Sequence, residues 1–314
     1  MSREADPRAR VDAVVVTYLP QVAGLSSLLA LLSTQVDHVH VVDHTPVADT
    51  RVEALLARTQ VGNATLTRLG ENLGIARALN VGIAAARSRG ATHVLFSDQD
   101  SEPAPDMVAR LLSDFAGLCA RGERVGAIGP VFTDRHTGTT FPFQAAVPGK
   151  FFYGHVHPEP GRPLVEALSL ITSGTLVPME VLQDVGTMRE DLFIDKVDIE
   201  WCHRARAAGW KLFGSGHARM FQRMGEAGLR VWFLRWRRES VYPPLRLYYQ
   251  CRNYVALARE PWIQWRWKVR NGWYTLGVVY SQVVFGRQRW QALRMAMRGL
   301  ADGIRGRMGP CRAA

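Results

Sequence analysis

Two aspartates separated by one residue, Asp98 and Asp100, close the apolar run THVLFSD and are followed by SEP. Hard carboxylate oxygens in such a pair, together with a diphosphate, hold Mg2+ or Mn2+, and the cation neutralises the phosphates as they leave. An isolated pair of this kind is more often an Asx-rich turn that caps the next helix, so its meaning depends on what else meets it. Val94, Leu95 and Phe96 read as an interior strand, and Pro103 and Pro105 prevent its continuation. Both carboxylates therefore stand at a carboxyl-terminal strand end. Far along the chain, VDIEWCHRARAAGW sets Trp201, Ala205 and Ala208 at helical spacing, which puts Asp198 at a helix N-terminus. A carboxylate there can take the proton of an attacking hydroxyl. The competing roles are structural: Asp198 as a cap, and Glu200 with Arg204 as an i,i+4 pair.

The elements that must position these groups alternate. Strand-like runs at 11–19, 36–43, 64–70, 92–98 and 125–132 are separated by helix-like stretches at 22–34, 47–60, 72–90 and 105–122. That rhythm predicts an α/β fold, a mostly parallel sheet flanked by helices, whose ligands bind off the carboxyl ends of the strands. Those ends are consistently polar: Thr17 and Tyr18, then Asp43, then Asn72, then Asp98 and Asp100. Each suits a nucleotide diphosphate. Asp43 can accept hydrogen bonds from a base or ribose, or cap the following helix. Asn72 and Gly74 open a helix whose free N–H groups favour an anion, with Arg77 one turn in or on a solvated face.

Charge divides the chain. Residues 201–314 hold 22 Lys and Arg against 4 Asp and Glu, whereas the first 200 hold 17 against 24. Eight of the nine tryptophans lie after residue 209, five of them interleaved with arginine between Arg230 and Arg270. Trp at headgroup level with Arg on phosphates suits an anionic membrane surface; a core stripe formed by Trp262, Trp265 and Trp273 is the alternative. No helix-turn-helix, zinc-finger or RNP pattern is present, so nucleic acid is not an expected partner. The four cysteines show neither disulfide nor zinc spacing, and the N-terminus does not read as a signal peptide. The longest nearly uncharged run, 271–286, is short of the ~20 residues a spanning helix needs. Cytoplasmic location, peripheral on the inner face of the plasma membrane, is the expectation.

VVVTYLP, VHVVDHTP, ENLGIARALNVGIAAA, FSDQDSEP, ITSGTLVP and LFIDKVDIEWCHRARAAGW occur in the order of glycosyltransferase family 2, whose members are inverting enzymes of GT-A fold. The resemblance covers about residues 11–255, and FIDKVDIEWC is most similar to the bacterial rhamnosyltransferase branch. It implies a nucleotide-sugar donor, typically dTDP-L-rhamnose, a divalent cation, direct displacement at the anomeric carbon, and a cell-surface glycan or its lipid-linked precursor as acceptor. Another donor such as UDP-galactofuranose, or a catalytically silent membrane scaffold, is the alternative. By position, Thr17, Tyr18, Asp43, Asn72, Gly74, Arg77 and Asp98 correspond to the nucleotide pocket, and Asp98 with Asp100 to the metal contacts. Ser173, Gly174, Asp195 and Trp201 correspond to the donor-sugar and acceptor region, Asp198 to the general base and Glu200 to its acidic companion. Two departures stand out. His44, Thr45 and Pro46 follow Asp43 where the family shows DN, and Gln222 stands where a metal-binding His is common, with His217 five residues earlier. The expected organisation is a transferase domain over 11–228 and a basic, aromatic, helical extension over 229–314.

Overall fold

The computed structural model describes residues 9–59, 61–134, 138–222, 228–233, 235–240 and 242–311, and for 222, 228–233 and 235–240 the backbone alone. The first half runs β1 (Val11–Thr17), α1 (Val22–Ser33), β2 (His38–Asp43), α2 (Arg51–Thr59), β3 (Ala64–Arg68), α3 (Ile75–Ser88), β4 (His93–Asp98), β5 (Glu102–Pro103), α4 (Met107–Ala120) and β6 (Val125–Asp134). There follow β7 (Phe143–Ala145), β8 (Gly154–Val156), β9 (Leu164–Ala167), β10 (Leu176–Pro178), α5 (Met179–Val185), a 3-10 turn (Glu190–Leu192), α6 (Val197–Ala207) and β11 (Lys211–Gln222). The chain continues as β12 (Gly228–Phe233), β13 (Arg235–Ser240), α7 (Pro244–Arg259), α8 (Trp265–Phe285) and α9 (Arg289–Ile304).

The main sheet has the order β3-β2-β1-β4-β10-β6-β11-β5, and β9 also pairs with β11, along 212–215 where β5 pairs along 220–221. Strands β1 to β4 pair in parallel, and β10 enters antiparallel between β4 and β6. The α/β reading is thus observed, with GT-A-like mixed character at the β10 position. All seven residues of β1 are buried because both faces are covered. Val14 and Val16 join a core beneath α3 and α6, while Val11, Ala13 and Val15 join a second core beneath α1 and α4.

Helices α7, α8 and α9 pack on one another, and Leu257, Ile263 and Trp267 join the core beneath α3 and α6. Among the described tryptophans of this region Trp267 is buried, whereas Trp262, Trp265, Trp273 and Trp290 are exposed, so the stripe of Trp262, Trp265 and Trp273 is not core. The stretch after 228 also contains a β12–β13 hairpin, which the helical reading of the extension did not include. Arg230, Trp232, Arg235, Trp236, Arg237 and Arg238 belong to that hairpin, and their side chains, like that of Gln222, lie outside the described residues.

Candidate active site

Parallel register alone brings the ends of three strands together: Thr17 is level with Asp43, and Val16 with Asp98. Asp43 is buried, and its Oδ1 accepts bonds from the Thr17 hydroxyl (2.9 Å) and the Thr45 hydroxyl (2.7 Å). Its Oδ2 and the neighbouring His44 Nδ1 have no hydrogen-bond partner although both are buried. Burial pushes the His44 pKa down, against the pull of Asp43, so the ring is neutral near pH 7. Buried acceptors left open in this way mark a place where a ligand N–H or O–H completes the structure. Tyr18 stands beside them, its ring edge-on to His44 at 5.2 Å and its N–H donating to the Gln99 amide oxygen (2.7 Å).

At the end of β4, the backbone N–H of Asp98 donates to the Ser173 hydroxyl (3.1 Å), which also bonds the Ser101 hydroxyl. Gly174 makes this approach possible. Its φ of 76° favours glycine, and a Cβ there would fall 2.6 Å from Pro130 Cγ. Asp98 is half-buried and its carboxyl pKa is pushed up to about 6, first by desolvation, then by the charges of Asp100 and Asp198, with Arg246 pulling the other way. Asp198, 98 and 100 residues further along the chain, thus shares one electrostatic neighbourhood with Asp100 and Asp98. Asp100 is exposed, and it borders a cavity of about 840 Å3 that runs over α1 past Gln21, Gly24 and Ser27. Among the described residues no three His, Cys, Asp or Glu side chains form a ready-made metal cage.

Asp198 reaches this place on a strained loop. Phe193, Asp195 and Lys196 have φ of 64, 63 and 62°, a conformation that β-carbon-bearing residues adopt at a cost of ~1–3 kcal/mol each. The compensation comes from α7 and α8. The Asn253 amide donates to the carbonyls of Leu192 (3.0 Å), Ile194 (2.7 Å) and Asp195 (2.9 Å). Arg252, fully buried, donates to the carbonyls of Asp191 (3.2 Å) and Leu192 (2.8 Å). Lys196 Nζ donates to Asn271 Oδ1 (2.9 Å), and burial pulls the lysine pKa down. Asp198 itself caps the first turn through Ile199 N (2.8 Å), and desolvation, then Asp195, raises its pKa against the Ile199 bond and Lys196. A raised carboxyl is a better proton acceptor when ionised than an ordinary one. It opens on a cavity of about 200 Å3 walled by Phe132, Phe141, Phe143 and Ile171.

The remaining expected residues fall elsewhere. Asp195 pairs with Arg246 (3.1 Å), which makes that arginine of α7 part of the site. Glu200 is buried and holds Arg204 through two bonds of 2.9 Å, while Arg204 also binds the Val185 and Thr187 carbonyls. Trp201 is buried, its indole donating to Gly186 O (2.9 Å). Two residues along a helix face nearly opposite ways from Asp198, which is why Glu200 serves the fold. Arg77 pairs with Glu190 (3.0 Å) on an exposed face. The first amides of α3 are internally satisfied, Gly74 N by the Asn72 side chain (3.0 Å) and Ile75 N by Phe193 O (2.8 Å). At Gly74, φ 87°, a Cβ would lie 2.6 Å from that same carbonyl. His217 turns to α4, its Nδ1 2.9 Å from the Asp114 carboxylate. Sequence reasoning missed Arg246, Arg252, Asn253 and Asn271. The available signal was a polar Arg-Asn pair inside the apolar run LYYQCRNYVALA, which a helix buries only if its partners lie elsewhere in the fold.

The fold is that of GT-A glycosyltransferases. The chain superposes on the crystal structure of S. aureus TarS with a TM-score of 0.53 and 15% identity, covering 94% of this chain and 49% of TarS. It thus spans about half of TarS. It superposes also on GalNAc-T7 crystallised with UDP, GalNAc and Mn2+, with a TM-score of 0.54 and 12% identity, over 89% of this chain and 59% of that one. Residues 22–150 match the family Glycosyl transferase family 2. A curated relative, dTDP-rhamnosyl transferase RfbF of Shigella flexneri, is 29% identical over 300 residues, 95% of this chain and 96% of the relative.

Proposed function

We propose that the protein transfers L-rhamnose from dTDP-L-rhamnose, with inversion, to a hydroxyl of a cell-surface glycan or its lipid-linked precursor. The observation that carries the mechanism is the convergence of Asp98, Asp100 and Asp198, with Arg246 as the cation in reach. The near full-length likeness to a dTDP-rhamnosyl transferase supports the donor. Asp43 Oδ2 and the Tyr18–His44 pair would receive base and ribose, where open buried acceptors lie. Crowded carboxylates with raised Asp98 pKa fit a divalent cation, which Asp98 and Asp100 would hold. Bound Mg2+ or Mn2+ supplies charge neutralisation to the departing nucleotide diphosphate. Ser173 and Gly174 fix the Asp98 backbone, Asp195 and Arg246 border the reacting centre, and Asp198 takes the acceptor proton as positive charge develops at the anomeric carbon.

The transferase unit is proposed to span 11–228 and the basic extension 229–314, with the latter resting on an anionic membrane surface at the inner face of the plasma membrane. No helix among the described residues is long and apolar enough to cross a membrane. Exposed Trp265, Trp273 and Trp290 among arginines support peripheral contact. A panel of nucleotide sugars with Mg2+ and Mn2+, read by nucleotide release, tests the donor. Release from dTDP-rhamnose well above UDP-sugars is the expected outcome; preference for a UDP-sugar removes the rhamnose reading.

A further inference from the structure

Between the β7–β8 region and the first turn of α8 lies a cavity of about 270 Å3, bounded by Lys150, Arg206 and Arg266 with Phe151, His203 and Trp267. No carboxylate lines it. Arg206 is half-buried, and burial lowers the proton affinity of its guanidinium, yet no described residue hydrogen-bonds it. The acid that acts on it through space, Glu166, stands 3.8 Å from Lys211. His203 is almost fully buried beside it, neutral, its Nε2 without a partner. Arg266 lies over the Phe151 ring at 5.0 Å and the Trp265 ring at 5.8 Å, so its plane is fixed by aromatic faces and its N–H edge is left for another group. Arg206 is half-buried while Lys150 and Arg266 are exposed at the mouth, so three like charges border one opening whose lining has no carboxylate, an arrangement that an anion would complete. Two guanidinium forks and an ammonium match the tetrahedral oxygens of a phosphate.

We propose that this cavity is a phosphate-ester site, separate from the donor pocket, for a phosphate attached to a lipid. The rim supports the lipid. Phe151 and Trp265, 58% and 55% exposed, meet edge to face at 5.3 Å beside the opening, as aromatic side chains do at a headgroup layer. The site also neighbours the base. Phe143, Gln144 and Leu170 line the Asp198 cavity, while Ala146, Val147 and Leu168 line this one. Along α6, Arg206 follows Asp198 by a rise of ~12 Å, a span that one or two sugar units cover. The phosphate has two sources with the same chemistry, the lipid-linked acceptor itself and a phospholipid headgroup; the first rests on the acceptor reading above.

Inorganic phosphate titrated calorimetrically without divalent cation should bind the wild-type protein saturably. Both Arg206→Gln and the exposed Lys150→Gln should weaken it at least tenfold while leaving the thermal midpoint in place for Lys150→Gln. Absence of binding, or equal affinity in the lysine variant, overturns the site. Co-sedimentation with phosphatidylglycerol and phosphatidylcholine vesicles, and KM for a lipid-diphosphate-linked glycan against the same glycan lacking phosphate, identify the source. Loss of anionic-vesicle binding alone assigns the headgroup; a tenfold KM rise confined to the phosphate-bearing acceptor assigns the acceptor; no change in either overturns the lipid assignment. Nucleotide release without acceptor should be the same in wild type and both variants. If the wild type itself releases none, it is the transferase reading that fails, and the phosphate titration still judges this cavity.

Discussion

The carboxylates at the end of β4 and the carboxylate at the start of α6 are held by opposite means. Asp98 and Asp100 follow from sheet register: β1 and β4 are buried, parallel and adjacent, so their ends must coincide. Asp198 sits beyond a loop with three residues at positive φ, kept in place by Asn253, Arg252 and Asn271 from helices that come after the sheet is complete. Helices α7 and α8 are therefore a clamp on the loop that leads into Asp198. One half of the site is a product of strand pairing, and the other depends on a tertiary contact across more than fifty residues.

Variants separate the two halves, beginning with the largest effect. Asp100→Ala removes a ligand of the proposed cation and should abolish transfer together with metal-dependent donor binding, measured calorimetrically with and without Mn2+; retained activity would break the comparison at its sheet end. Asp198→Asn keeps volume but not basicity, so turnover should fall ~10²-fold or more while donor affinity holds. Lost donor binding in that variant would make Asp198 structural. Asn253→Ala leaves the Ile194 and Asp195 carbonyls without their donor and Leu192 O with Arg252 alone, a cost of about 1–3 kcal/mol, and should lower Tm by ~5 °C and turnover severalfold with metal-dependent donor binding near wild type. Equal loss of donor binding and turnover would show that the two halves are not separable.

The smallest effect concerns pH. Asp98, raised from an ordinary 3.8 to about 6, binds more protons folded than unfolded between those values. Its contribution to stability is complete below the unfolded pKa and is lost as pH rises through about 6. A cation that binds the ionised pair reverses this loss. The rise in Tm on adding Mg2+ should accordingly be larger at pH 7 than at pH 5, and an equal rise at both would count against Asp98 as a ligand.

The acids at the strand ends were legible because apolar period and turn chemistry are local properties. β1 to β4, β6 and α1 to α4 follow from apolar runs and Pro or Gly punctuation, and Asp43, Asp98 and Asp100 from their places at those ends. The short strands β5 and β7 to β10 carry too few residues to show a period, and the insertion of β10 between β4 and β6 is a choice among partners that no local pattern makes. The same limit separates the two acids of VDIEW. Glu200 faces Arg204 in the interior and Asp198 faces the site, a difference set by which side of α6 meets the sheet. Arg246 carries the point furthest: as a residue of a basic tail it reads as a surface charge, and only the packing of α7 against the strained loop sets it on Asp195 and within the field of Asp98. The sequence alone determined the alternation of strand and helix as far as β4 and the acids that close those strands, since apolar period and turn punctuation are local. Tertiary structure decided which cations and amides complete the site, because their partners lie on helices added after the sheet, where contact depends on packing rather than on spacing.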